Sequence, residues 1–525
     1  MGWNEGYEKI DIKQTLKFMS LFLCHIQTLG IYNNGRVFNY YFWSGIMGGF
    51  LSIYLGIDSI RASVIDDEGI ELGSIKREAQ IILKKECVEQ SIEQLFADTV
   101  DIIKQIAIDY EYANISSMAI TQDMGSFVCI DSLGEPILNA IMSCDRRARY
   151  QIRLCQKSYH KYKDECILPW SYSIIPKLIW IKNNMPDAYR KIFKVLTIDG
   201  FIAYRLCGET AIDNYSALLM AYNRKTSGYN IRLINDVGLN ESILPTVSKI
   251  GECIGVISGK MKEELGFKED IKFMLGSNTF ILSSLSSFLY AEDNGDLKIM
   301  AYNMESSTLC TLNRYVKIKK DDGIIRLPHK GGLYIYGYIG DYCIRFSEWI
   351  LKSFKLEAEE YIDISEGSNG VMVLPYVMGE GYNQGSDVKG GIIGIECTSS
   401  SSNILAAYFE AEGFMIKDKI DSMNYQGINT DRIYITKSIE NEMFYNIISD
   451  ITCKEVIVNN KYSHQMALFD LIFNKSSLDK DDVDIIKPDE IKSAEYNKLY
   501  NLHKNLLYRP LIDVYKYRKK ALDKM

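Results

Sequence analysis

The sequence predicts an α/β protein built of layered sheets and more than one domain. Three observations predict it. The chain has 525 residues, enough for more than one domain and a large buried core. Residues 54–150 alternate strand-like and helix-like apolar patterns, the mark of a layered sheet. That alternation opens on Leu55–Gly69 (LGIDSIRASVIDDEG), which reads as a β-hairpin. An apolar strand ends at Asp58, turns, and returns through Ala62 to Ile65 before an Asp-Asp-Glu-Gly turn.

Composition narrows the function classes. The chain is 47% hydrophobic and 24% charged, ordinary for a globular protein, and carries a net charge of -8. No basic stripe with interleaved aromatics occurs, so nucleic acid is not an expected partner. The 12 Cys are scattered singly without a Cys-x-x-Cys, and the five His are far apart, so no metal spacing emerges. Free thiols in a reducing cytoplasm are the expectation. The acidic N-terminus (Glu5, Glu8, Asp11) does not read as a signal peptide. Tyr40–Ile57 is an uncharged run of 18 residues, long enough to raise a membrane helix. Its glycines and its β-type end favour a turn and a buried first strand, so no membrane is expected.

In chain order, residues 1–53 form an N-terminal extension in which Lys13–Ile31 has the period of an apolar helix. After the hairpin, Lys76–Ala107 is helical by period, with Ile81, Ile82, Val88, Ile92, Leu95, Val100 and Ile103 inward. Ile115–Ile120 and Phe127–Ile130 read as strands, the second followed by an Asp131-Ser132-Leu133-Gly134 turn.

The motifs then accumulate in order. Gly134-Glu135-Pro136 follows that turn, and Asp145-Arg146-Arg147-Ala148 follows Ile141. Next come Ile174–Lys182 (IIPKLIWIK), Met185–Tyr189 (MPDAY), Asp199–Glu209 (DGFIAYRLCGE) and Asp213–Ala217 (DNYSA). Further on stand Leu244-Pro245, Leu265-Gly266, Val373–Glu380 (VLPYVMGE) and Gly390–Ile395 (GGIIGI). Their shared order and spacing resemble the FGGY family of carbohydrate kinases, of xylulokinase type, over about residues 54–520. The resemblance implies two actin-like (ribonuclease H-like, ASKHA) α/β domains with a central cleft. They divide as 54–295 on the sugar side and 296–525 on the nucleotide side. It also implies phosphorylation of a pentulose or polyol with ATP and Mg as cofactors.

A kinase of this kind needs backbone N–H groups around phosphates, a carboxylate-held metal and a base for the acceptor hydroxyl. The family's first phosphate turn, "D-x-G-T-T-S-x-K", is matched only at its flanks. Asp58 runs directly into Ser59-Ile60-Arg61-Ala62, without the Gly and Thr. The second, "S-L-G-T-S-G", meets Tyr302–Ser307, and no glycine occurs from Asp296 to Asp322. The positions left on the nucleotide side are Asp58, Ser59, Ser306 and Lys437, with Asp58 the magnesium candidate. The plainer reading of Asp58 is a strand-end carboxylate capping a tight turn. The family's base in "G-G-G-D-N" falls at Thr279, or at Ser277 with a two-residue gap, and no Asp or Glu lies between Asp270 and Glu292. A hydroxyl cannot serve as that base near neutral pH.

On the sugar side, Gln122–Ser126 resembles "G-Q-M-H-G" and Ser143–Arg147 resembles "W-N-D-x-R". These make Asp123, Met124, Asp145 and Arg147 the substrate-binding candidates. A buried ion pair is the alternative reading of Asp145 and Arg147. Three functions follow: a catalytically impaired homologue with a binding or regulatory role, as a homo-oligomer or paired with an active relative; a divergent working sugar kinase; or a sugar-sensing module without ATP.

Overall fold

The computed structural model describes residues 29–33, 36–40 and 48–504, apart from 164, 168, 171, 224, 295–297, 304–307, 320–322, 330–331, 340–349, 351–352, 354–365, 376–389, 437–441, 462, 476 and 478–481. The chain divides into two compact units, 1–47 and 48–525. In the first, Leu29–Asn33 pairs antiparallel with Arg36–Tyr40. The expected helix Lys13–Ile31 therefore ends in strand, and the rest of it lies outside the described residues. Asn34-Gly35 between two β-prone runs is the hairpin signal that the helical period overrode.

The second unit repeats one scheme twice. In the first sheet, Phe50–Leu55, Ser59–Ile65 and Glu71–Glu78 form an antiparallel meander. Ser117–Gln122 and Ile271–Met274 then extend it in parallel beside Phe50–Leu55, with Cys253–Ile257 antiparallel at the edge. In the second sheet, Ile299–Asn303, Thr308–Arg314 and Leu333–Ile339 make the meander, with Ile325–Pro328 beyond it. Arg432–Thr436 and Glu455–Asn459 are its parallel strands, and Val483–Ile486 its far edge. Two sheets with a meander followed by parallel strands are the two actin-like domains. The opening strand is buried along its whole length, which explains the uncharged run before Asp58. Because that strand begins at Phe50, the first sheet starts four residues ahead of the expected boundary at 54. No helix among the described residues is long and apolar enough to cross a membrane.

One long element was misread. Lys76–Ala107 is not a single helix. Glu71–Glu78 closes the meander with alternating exposure. Ile82–Lys84 and Cys87–Gln90 then form a hairpin whose turn holds Lys85 at φ 54°. Helix begins only at Ile92 and runs to Asp109, where the Ser91 hydroxyl accepts from the Gln94 N–H. Ile81 and Ile82 satisfied the helical period by chance, while Ser91 was the true start signal. The Cys87–Gln90 strand joins Ala140–Ile141, Phe127–Ile130 and Lys194–Thr197 in a second, antiparallel sheet of the first domain.

The domains meet on an apolar cluster. Phe50, Ile65, Ala119, Met274 and Leu282 of the first pack with Ile299, Tyr434, Ile457, Met466, Leu468 and Phe469 of the second. Helix His464–Phe473 lies against helix Thr279–Asn294 and the opening strand. The Phe50 ring sits 5.8 Å from Phe469 and 5.2 Å from Phe473. The Phe469 ring fills the joint. Phe469→Ala is expected to destabilise the protein by roughly 3–5 kcal/mol through the cavity it leaves, measured as a lower urea midpoint.

Candidate functional site

The site is built where the parallel strands of the first domain end, the usual ligand position in open α/β sheets. The hairpin tip comes first. Phe50–Leu55 and Ser59–Ile65 pair in register up to Leu55 and Ile60, leaving only Gly56–Ser59 to turn. Four backbone groups of the tip have partners inside the protein. The Gly56 N–H donates to the Ser59 carbonyl (2.9 Å) and the Ile57 N–H to Asp123 Oδ2 (3.1 Å). The Ile57 carbonyl accepts from Gln90 Nε2 (2.7 Å), and the Asp58 carbonyl from the Ala79 N–H (2.7 Å). The Asp58 carboxylate accepts from its neighbour Ser59 Oγ at 3.1 Å. The tip thus offers neither the Gly56 nor the Ile57 N–H to a phosphate. No group of three or more metal-ligating side chains occurs among the described residues, and Asp58 stands without a companion carboxylate in such a group. Ser306 and Lys437 lie outside the described residues.

The sugar-side candidates do not converge. Asp123 lies against the hairpin, where its Oδ1 also accepts from the Tyr54 hydroxyl at 3.0 Å. Met124 is buried in the first domain's core with Trp170 and Tyr172. Gly125 follows at φ +98°, and a Cβ there would stand 2.5 Å from the Tyr172 carbonyl oxygen. Asp145 and Arg147 form a buried bidentate pair. Arg147 Nε reaches Oδ1 at 2.9 Å and Nη2 reaches Oδ2 at 2.8 Å. The Val88 and Arg147 N–H groups donate to the same carboxylate. Nη2 also bridges to Glu89 at 2.6 Å, and the guanidinium lies 5.2 Å over the Trp180 ring. Burial alone would lower the Arg147 pKa, but Asp145 and then Glu89 outweigh it and hold the group above its usual range. Of the two readings left open, the ion pair describes this geometry.

The window at the expected base position is tightly built. Gly276 passes so close to strand Ser117–Gln122 that a Cβ would meet the Ile120 carbonyl oxygen at 1.9 Å. Ser277 Oγ donates to Asp213 Oδ1 at 3.1 Å. Asn278 Nδ2 donates to Ser216 Oγ at 3.0 Å, and its Oδ1 accepts from the Ile281 N–H. Thr279 opens helix Thr279–Asn294, is 1% exposed, and its hydroxyl meets no hydrogen-bond partner among the described residues.

Sequence reasoning quoted Asp199 and Asp213 as motif residues and did not place them in the site. Asp213 is fully buried and accepts from the Tyr215 and Ser216 N–H groups as well as from Ser277. Burial raises its pKa against those hydrogen bonds. Burial, with Asp213 adding to it, pushes Asp199 up to about 7. Lys177, on the helix Ile174–Asn184 that also carries the exposed Lys182, is buried and donates to the Met142 and Ser143 carbonyls at 3.1 and 2.9 Å. His464 was weighed only as a metal ligand. Its Nε2 lies 3.1 Å from Ser283 Oγ and 2.8 Å from Asn303 Nδ2, a polar bridge between the domains.

Asp199 makes stability depend on pH. Its pKa rises from 3.8 unfolded to about 7 folded, so between these values the folded chain binds the extra proton. The contribution is largest at low pH and is lost as pH rises toward 7. Asp199→Asn is expected to flatten the fall in stability between about pH 4 and 7 and to stabilise at pH 8, with a ceiling of about 4 kcal/mol. Urea unfolding across that range measures it. Removing Arg147 strands a buried carboxylate, so Arg147→Ala is expected to cost about 3–5 kcal/mol in the same assay.

Residues 50–281 match the FGGY family of carbohydrate kinases, N-terminal domain. The chain is similar to a xylulose kinase of Staphylococcus xylosus, 22% identical over 76% of this chain and 85% of the relative. It is also similar to a glycerol kinase of Thermococcus gammatolerans, 25% identical over 71% of this chain and 78% of the relative. Among solved structures it shares the fold of a gluconate kinase from Lactobacillus acidophilus. That likeness has a TM-score of 0.75 and 19% identity, over 89% of this chain and 99% of the other. Residues 50–281 of this chain are thus an N-terminal domain of the FGGY family of carbohydrate kinases, and the chain as a whole shares the fold of such a kinase.

Proposed function

We propose that this chain is an FGGY carbohydrate-kinase homologue with impaired phosphotransfer, acting as a binding or regulatory protein, as a homo-oligomer or beside an active relative. One observation carries the reading: the base position falls at Thr279 or Ser277, both buried hydroxyls, in a window from Ile271 to Ala291 that holds no Asp or Glu. General-base help is worth roughly 10²–10⁴-fold, so its loss alone cuts turnover deeply. The committed hairpin tip supports the reading from the nucleotide side. A side chain changed only for a new sugar would leave that tip free.

A second reading has its own observation. Asp213 reaches the base window through Ser277, and burial raises its affinity for a proton. In that reading the chain remains a divergent kinase for a pentulose or polyol, the substrates named for its xylulose- and glycerol-kinase relatives. Asp213 would then work through the Ser277 hydroxyl. Melting curves with millimolar Mg-ATP, and ADP release with xylulose or glycerol, separate the two. Impairment predicts neither a melting shift with nucleotide nor ADP release, and predicts that Thr279→Asp alone restores neither. ADP release that vanishes in Asp213→Asn carries the second reading instead. A melting shift with a pentulose alone points to sugar sensing without ATP.

A further inference from the structure

We propose that the Asp123 carboxylate is a built-in anion filling an oxyanion seat at the hairpin tip, so that the chain holds a closed phosphate site. The seat joins donors on one strand pair to an acid on the next strand's end. The Ile57 N–H reaches Oδ2 at 3.1 Å and the Tyr54 hydroxyl reaches Oδ1 at 3.0 Å. A backbone N–H and a phenol converging on two oxygens of one acid is the arrangement by which proteins hold external oxyanions. The Arg61 guanidinium lies 5.8 Å over the Tyr54 ring, on the side of the seat's phenol donor. Gln90 holds the Ile57 carbonyl from the other side, which aims the Ile57 N–H into the seat. The hairpin does not need the acid for its register, which six consecutive residue pairs from Phe50–Ile65 to Leu55–Ile60 already set. The seat lies where Phe50–Leu55 and Ser117–Gln122 end side by side, Leu55 opposite Gln122, with Asp123 the next residue.

The seat rests on the impaired-kinase reading only in explaining why nucleotide phosphate is turned away. The test titrates inorganic phosphate and, separately, Mg-ADP into the full-length wild type, Asp123→Gly and Asp123→Ser by calorimetry, with circular dichroism to check folding. Both variants are expected to bind inorganic phosphate at least about tenfold more tightly than wild type, the usual worth of one hydrogen bond to a charged group. Adding Tyr54→Phe to Asp123→Ser is expected to reverse most of that gain. Binding of phosphate alone assigns the seat to a small oxyanion, and binding of Mg-ADP as well assigns it to a nucleotide's phosphates. Folded variants with wild-type phosphate affinity overturn the proposal. So does failure of both variants to fold, because the carboxylate is then a strut the fold requires. Wild-type binding of Mg-ATP overturns the impaired-kinase reading, whereas unchanged phosphate affinity in folded Asp123→Ser overturns the seat. Neither result implies the other.

Discussion

The strand ends of the first domain depend on how one hairpin is closed. Phe50–Leu55 and Ser59–Ile65 stay paired so far that only Gly56–Ser59 is left to reverse the chain. Backbone polar groups at such a tip must be satisfied by water, ligand or protein. Here protein supplies the partners, from three separate places: Asp123, Gln90 and Ala79. A longer, glycine-bearing loop would leave its N–H groups turned outward. Shortening the loop therefore does more than delete residues, because it changes what the neighbouring side chains are for. Asp123 and Gln90 complete the tip.

The same exchange runs through the rest of the site. Asp145, on the sugar side by resemblance, has both oxygens taken by Arg147 and two backbone N–H groups. Ser277 and Asn278 are tied to Asp213 and Ser216. Phe469 packs its ring on Phe50 and Phe473. Side chains at the strand ends face one another and bond. Buried polar groups pair internally or stay unpaired at a cost. Most here pair. Asp199 keeps its pKa near 7 because burial there is only partly offset.

Much of this was legible, and the limits have physical causes. Fully buried strands such as Phe50–Leu55 show as unbroken apolar runs, and the base window could be counted from Gly266 because that glycine is a true helix end, with φ +84°. The meander's third strand was not legible, because its half-exposed alternation ran on into isoleucines that also fit a helix. The Asp123–Ile57 bond joins residues 66 positions apart and follows from a loop too short to reach a ligand. Nothing local at Asp123 announces it. The Asp145–Arg147 pair was open between two readings because i and i+2 suit either a ligand contact or a chelated guanidinium, and only the third partner, Glu89, separates them.

The joint between the domains bears on how freely they can move against each other. Kinases of two domains work by closing on substrate, so their joint must move. In this chain the joint is an aromatic cluster of Phe50, Phe469 and Phe473, with centroids 4.9 to 5.8 Å apart. His464 bridges Ser283 and Asn303 beside it. Close-packed rings and buried hydrogen bonds resist sliding, because every displacement opens a void or strands a polar atom. The same packing keeps the strand and helix patterns legible through the sequence, because it constrains the elements more tightly than the loops between them.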